Sequence, residues 1–99
     1  MPVYPDGGTK GLEQTIATRI RRPRGQYELS SSIVFVNVLI DREGKIRRPE
    51  VIKGIHPDFD QEALRVIQTL DPFIPGRQNG QPVDVEYIVR VPFPRSTEE

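Results

Sequence analysis

The clearest pattern in the chain is an alternation over residues 82–93: Val83, Val85, Tyr87, Val89, Val91 and Phe93 fall on one face, and Asp84, Glu86, Ile88 and Arg90 on the other. A period of two puts successive side chains on opposite sides of a strand, so one face suits a core and the other suits water. Asn79-Gly80 stands just ahead, and this pair tolerates positive φ, so the chain can reverse there and enter the strand in fixed register. A second run, Ile33-Val34-Phe35-Val36-Asn37-Val38-Leu39-Ile40, is almost wholly β-branched and aromatic and predicts a central strand. Its lone amide, Asn37, marks Ile33, Phe35 and Leu39 as the less buried face and leaves Val34, Val36, Val38 and Ile40 to meet helices. Asp41-Arg42-Glu43-Gly44 reads as a hairpin turn with Gly44 in the left-handed position. The strand after it, over residues 45–52, is interrupted by Arg47, Arg48 and Pro49; proline withholds a donor, so this strand belongs at an edge.

Two segments carry a helical period instead. Leu12, Ile16 and Ile20 recur every four residues and predict a short helix with one narrow apolar stripe, capped by Thr9 and ended by Pro23. A second helix is predicted over residues 60–70, with Asp60 as N-cap, Phe59 and Leu64 at the spacing of a hydrophobic staple, and Asp71-Pro72 as the stop. Its inward face is Phe59, Ala63, Val66, Ile67 and Leu70. The order helix, strand, strand, helix, strand then constrains the topology: the first two strands form a hairpin, and the helical crossover brings the third beside one of them. The expected fold is α+β and two-layer, a three-stranded antiparallel sheet in the order 2-1-3 with both helices on one face. A single domain is expected across residues 1–99, with its folded core at about 9–93 and tails at 1–8 and 94–99. The third strand is left with an unpaired row of N–H and C=O groups, and Pro92 blocks only its far end.

Composition narrows the function without choosing one. Fourteen basic and fourteen acidic residues cancel, so no global field favours nucleic acid or an anionic membrane. Arg19, Arg21, Arg22 and Arg24 form one local basic cluster and Lys45, Arg47, Arg48 and Lys53 another; both read as solvated surface, because the aromatics are not interleaved with them. Cysteine is absent, which removes disulfides and thiolate chemistry. His56, the only histidine, has no partner for a metal site and reads as a surface residue. Helix capping accounts for Asp58 and Asp60, and residues 30–32, all serine, lack a histidine at a nucleophile spacing. No catalytic residue, metal ligand or cofactor is expected, and Tyr4 and Tyr27 have no assigned role. No stretch approaches the ~20 apolar residues of a membrane span.

The chain as a whole resembles TonB C-terminal domains. The closing signature is Phe73-Ile74-Pro75-Gly76-Arg77-Gln78-Asn79-Gly80-Gln81-Pro82-Val83, running on to Val91-Pro92-Phe93. Tyr4-Pro5 with Gly7-Gly8, Asp41 with Gly44, and Asp60-Gln61-Glu62-Ala63-Leu64-Arg65-Val66 agree in order and spacing. Arg22-Pro23 stands where the family usually has Tyr-Pro, and Gly25 is the only glycine of the following loop, so a different entry into the sheet is expected.

The resemblance implies a periplasmic domain of a Gram-negative bacterium, attached to the inner membrane by an upstream segment absent from this chain. Through that segment it would couple to the proton-channel motor complex. Its partner would be the TonB box of TonB-dependent outer-membrane receptors, added as a strand beside Val85, Glu86, Tyr87, Ile88, Val89, Arg90 and Val91. The alternative is a peptide-binding periplasmic module of a membrane sensor or peptidase that transmits no force. The same edge could pair with a second copy to give a homodimer. Nucleic acid is not an expected partner.

Overall fold

The β-branched run becomes the centre of the sheet. The computed structural model describes residues 2–29 and 31–94. In it β1, Ile33–Ile40, alternates half-buried and buried positions, with Val34, Val36, Val38 and Ile40 fully enclosed as their spacing predicts. Complete burial of such side chains stabilises the fold by about 2 kcal/mol each. β1 pairs antiparallel with β2, Ile46–Lys53, on one side and with β5, Val85–Pro92, on the other. The sheet order is β2-β1-β5, the expected 2-1-3 arrangement. The two helices, α1 (Gly8–Arg19) and α2 (Pro57–Gln68), contribute their apolar residues to the same core as those four β1 side chains, so the fold is α+β with two layers.

The hairpin turn forms as expected, with Gly44 at φ 85°. A Cβ there would overlap the Phe73 carbonyl oxygen, and the Gly44 carbonyl accepts the Phe73 N–H at 2.7 Å. The turn between β1 and β2 is therefore seated against the segment that follows α2.

Both helix starts differ from expectation. α1 begins at Gly8 and has no side-chain cap; Gly7, at φ 88°, precedes it, and Thr9 lies inside the first turn. Gly7 and Gly8 both take positive φ, which turns the chain into the helix without a capping side chain. α1 also stops at Arg19, short of Pro23, although Leu12, Ile16 and Ile20 are buried as their spacing predicts. α2 starts at Pro57, three residues ahead of Asp60. Its cap is His56, whose Nδ1 accepts the Asp58 N–H at 3.1 Å, and Pro57 occupies the first helical position, where a missing N–H costs nothing. Asp60 instead accepts the Ile55 N–H at 3.0 Å, and Phe59 sits within the first turn, so the expected staple with Leu64 does not arise. The inward face of Phe59, Ala63, Val66, Ile67 and Leu70 is buried as expected.

The long alternation also divides. Gln81–Val83 forms β4 and pairs with β3, Gly76–Gln78, as a separate hairpin, and β5 starts only at Val85. Asn79 and Gly80, at φ 52° and 77°, make the type I′ turn that this pair favours. Between β4 and β5, Asp84 accepts the Arg42 N–H at 3.0 Å, fastening the junction to the β1–β2 turn.

The lead-in is part of the fold. Val3 and Ile74 exchange two main-chain hydrogen bonds, of 2.9 and 2.7 Å, and Tyr4 is 2% exposed with its ring edge-on to Phe73. The core therefore extends below residue 9. At the other end Phe93 is buried and the Pro94 carbonyl accepts from Arg22; residues 95–99 of the expected C-terminal tail lie outside the described residues.

Candidate functional site

The functional question reduces to the two ends of the sheet. β5 pairs with β1 over eight consecutive residues, from Ile33 opposite Pro92 to Ile40 opposite Val85, without a register shift. Its side chains keep the predicted alternation: Val89 and Val91 are buried and Val85 and Tyr87 half-buried, whereas Glu86, Ile88, Arg90 and Pro92 are exposed. Phe73 meets the Tyr87 ring edge-on at 5.6 Å, so the Tyr4–Phe73 pair backs the start of the strand.

The main-chain groups follow from one hydrogen bond. Phe93 N–H donates to the Ser32 carbonyl at 2.8 Å, and in an antiparallel ladder the residues that bond to the neighbour alternate with those that point away. Residues 85, 87, 89, 91 and 93 therefore face β1, and Glu86, Ile88 and Arg90 direct both N–H and C=O outward. The opposite side of β1 agrees with this phase: Asp41 N–H donates to the Lys45 carbonyl at 3.0 Å, so the odd-numbered residues of β1 face β2. Pro92 is next in the outward row, where its missing N–H removes nothing from the sheet. Of the seven residues expected to form a docking edge, three present both donor and acceptor. The other four, Val85, Tyr87, Val89 and Val91, spend theirs on β1.

β2 ends the sheet in another way. Its pairing with β1 shifts register twice, between Phe35 and Val36 and between Asn37 and Leu39, and Pro49 lies within the second irregularity beside Arg48 at φ 52°. Bulges and proline are the usual means of spoiling an edge for further pairing. Of the two edges of the three-stranded sheet, the outer side of β5 is the one that offers a regular row.

The basic clusters lie mostly at the exposed surface, and several of their members are also tied into the fold. Arg19 Nη1 donates to the Thr69 carbonyl at 2.6 Å, and Arg22 donates to the Pro94 carbonyl at 3.2 Å while its guanidinium lies 5.1 Å from the centre of the Phe59 ring. Arg47 pairs with Asp41 at 2.6 Å, and this hydrogen bond holds the Asp41 carboxyl below its ordinary range. Arg65 binds both oxygens of Glu62, at 2.8 and 2.7 Å, and likewise depresses that carboxyl, which also accepts the Arg21 N–H. Lys53 reaches over the Phe35 ring at 5.8 Å.

Tyr27 has a structural place. Its hydroxyl lies 3.0 Å from both the Arg24 carbonyl and Asp58 Oδ2, and its ring meets His56 and Phe59 edge-on. Burial, and then the Asp58 carboxylate, push its phenol up from the ordinary value. His56 is thus the cap of α2 and a partner of Tyr27, not a bare surface residue. Among the described residues no three His, Asp or Glu side chains gather as a metal would need, and no helix is long and apolar enough to cross a membrane.

Sequence reading missed one contact on the edge itself. Asn37 Nδ2 donates to Glu86 Oε1 at 3.1 Å, holding that carboxylate over the sheet. A single amide within an apolar strand was the available signal, but naming its partner requires the register of β1 against β5.

The family described as Gram-negative bacterial TonB protein C-terminal matches residues 30–94, about two thirds of the chain. The chain belongs to this family. TonB C-terminal domains are periplasmic interaction domains of Gram-negative bacteria, non-catalytic in type, that engage outer-membrane receptors. No curated protein and no solved structure matches the chain. The TonB C-terminal match spans every strand and α2, so it includes the whole candidate edge.

Proposed function

We propose that this domain is the receptor-binding end of a TonB-like energy transducer. It takes the TonB box of an outer-membrane receptor as a fourth strand along Val85, Glu86, Tyr87, Ile88, Val89, Arg90 and Val91. An upstream segment couples it to the inner-membrane motor and so to the proton-motive force. The supporting observation is the asymmetry of the sheet: β5 has eight residues in unbroken register with an outward row of main-chain groups that no described residue pairs, and β2 is bulged and interrupted by proline. Main-chain pairing grips with little demand on sequence and shares a load across several hydrogen bonds at once, which suits a coupling element.

The test is an NMR titration of the labelled domain with receptor N-terminal peptides that contain TonB boxes. Binding should shift the amides of Glu86, Ile88 and Arg90 most. Ile88→Pro should abolish the response while the domain stays folded, because this N–H points outward as the Pro92 nitrogen does. A silent edge in the wild-type domain, with its amides already engaged in a concentration-dependent dimer, would overturn the proposal.

A further inference from the structure

Resting on the strand-addition reading above, the structure adds an electrostatic polarity to the edge. The three residues with outward main-chain groups are Glu86, Ile88 and Arg90, a negative, an apolar and a positive side chain, all exposed on the face away from the helices. Ile88 is 53% exposed, the most exposed large apolar residue of the described chain. The ends are reinforced. Arg90 pairs with Phe35, whose ring carries Lys53, so two cations flank the Val91 end. At the Val85 end Glu86 is oriented by the Asn37 amide, so its charge needs little further ordering when a partner arrives. Four residues of strand separate the two charges by about 13 Å, longer than the ~10 Å screening length at 0.1 M salt, so each end is read on its own.

We infer that the edge selects an extended peptide with an acidic residue, an apolar residue and a basic residue at alternate positions. The acidic side chain lies beside Arg90, the apolar one beside Ile88 and the basic one beside Glu86. A peptide aligned the other way sets acid against Glu86 and base against Arg90, and like charges directly across a strand pair repel. For an added strand of fixed direction, the charges at the two ends of this row accept one order of residues and reject the reverse.

The test uses two blocked peptides of identical composition, acetyl-Thr-Glu-Thr-Ile-Thr-Lys-Thr-amide and acetyl-Thr-Lys-Thr-Ile-Thr-Glu-Thr-amide. Each is titrated into the full 99-residue chain with the amides of Glu86, Ile88 and Arg90 as the readout. The wild-type protein should prefer one of them by about five- to tenfold at low salt, the sum of two exposed cross-strand charge pairs: the glutamate-first peptide if the added strand runs antiparallel to β5, the lysine-first peptide if it runs parallel. The preference should shrink in 0.5 M salt, where the screening length is below about 5 Å. The exchanged variant E86R/R90E should prefer the other peptide, and R90E alone should lose most of the discrimination. Equal binding of both peptides at the edge would overturn the polarity and leave strand addition standing. An unchanged preference in E86R/R90E would also overturn it, because another feature would then be reading the order. If neither peptide moves the edge amides while receptor peptides do, the charge pattern is wrong and the docking site stands. If receptor peptides fail as well, both readings fall together.

Discussion

Single residues do their work here by fitting positions that few side chains could fill. Gly44 combines a left-handed backbone with contact against the Phe73 carbonyl, so Gly44→Ala meets two penalties at once. The left-handed conformation alone costs a residue with a Cβ roughly 1–2 kcal/mol, and the overlap adds to it. Urea unfolding should show at least that loss, with a melting temperature lower by about 4–8 °C for each kcal/mol. Glu62 offers a test through pH. Its hydrogen bonds to Arg65 hold its folded pKa below the unfolded value, so the native state binds fewer protons between the two. Its stabilisation is complete above the unfolded value and fades as pH falls through the folded one. Glu62→Gln should therefore be less stable than the wild-type chain at neutral pH, flatten the acid limb of the stability curve, and approach the wild-type value once Glu62 is protonated in both states. Urea midpoints across pH 2–7 measure this.

At the scale of elements, the two ends of the sheet differ in tolerance to proline, and the difference has a definite phase. Val89 faces β1 with its N–H, so Val89→Pro removes a ladder bond from the sheet's interior and should leave the chain without a cooperative unfolding transition. Ile88→Pro, one residue away, should keep one; circular dichroism and thermal melts of the pair check the phase directly. The strands and their faces were legible from periodicity because burial of Val34, Val36, Val38 and Ile40 imposes the pattern that the eye reads. The starts of elements were less so. Thr9 and Asp60 are good N-caps by type, but capping is a local preference worth about 1 kcal/mol, and at α1 the glycine pair, at α2 His56 with Pro57, satisfied the same need a few residues earlier. The alternation over residues 82–93 concealed the break at Asp84 because Val83 keeps the period while pairing with Gly76. The β5 edge was legible as a stretch; which of its main-chain groups point outward depended on pairing that only the sheet supplies.

At the scale of the molecule, the Pro/Gly-rich opening segment is a structural part and not a leader to the first helix. Tyr4 packs on Phe73, Phe73 on Tyr87, and the Asp71 N–H reaches the Tyr4 hydroxyl at 3.4 Å, so the segment braces both the chain leaving α2 and the start of β5. Tyr4→Ala should destabilise the domain by about 3 kcal/mol, as other large aromatic truncations in cores do. That is a large share of the 5–15 kcal/mol typical of a small domain. Chemical denaturation gives the loss, and hydrogen exchange at Tyr87 reports whether the start of β5 loosens with it.

The irregular β2 edge also decides what kind of assembly the domain can enter. A sheet that accepts neighbours at both ends can propagate without limit, copy upon copy. With β2 spoiled by its bulges and Pro49, growth ends after a single addition. On the proposed mode one peptide would saturate one domain, and two copies meeting through β5 would use the same surface on each and close as a symmetric pair. If strands add only along β5, the stoichiometry of a complex built on this sheet is capped, and copies pairing by this edge alone would stop at a dimer.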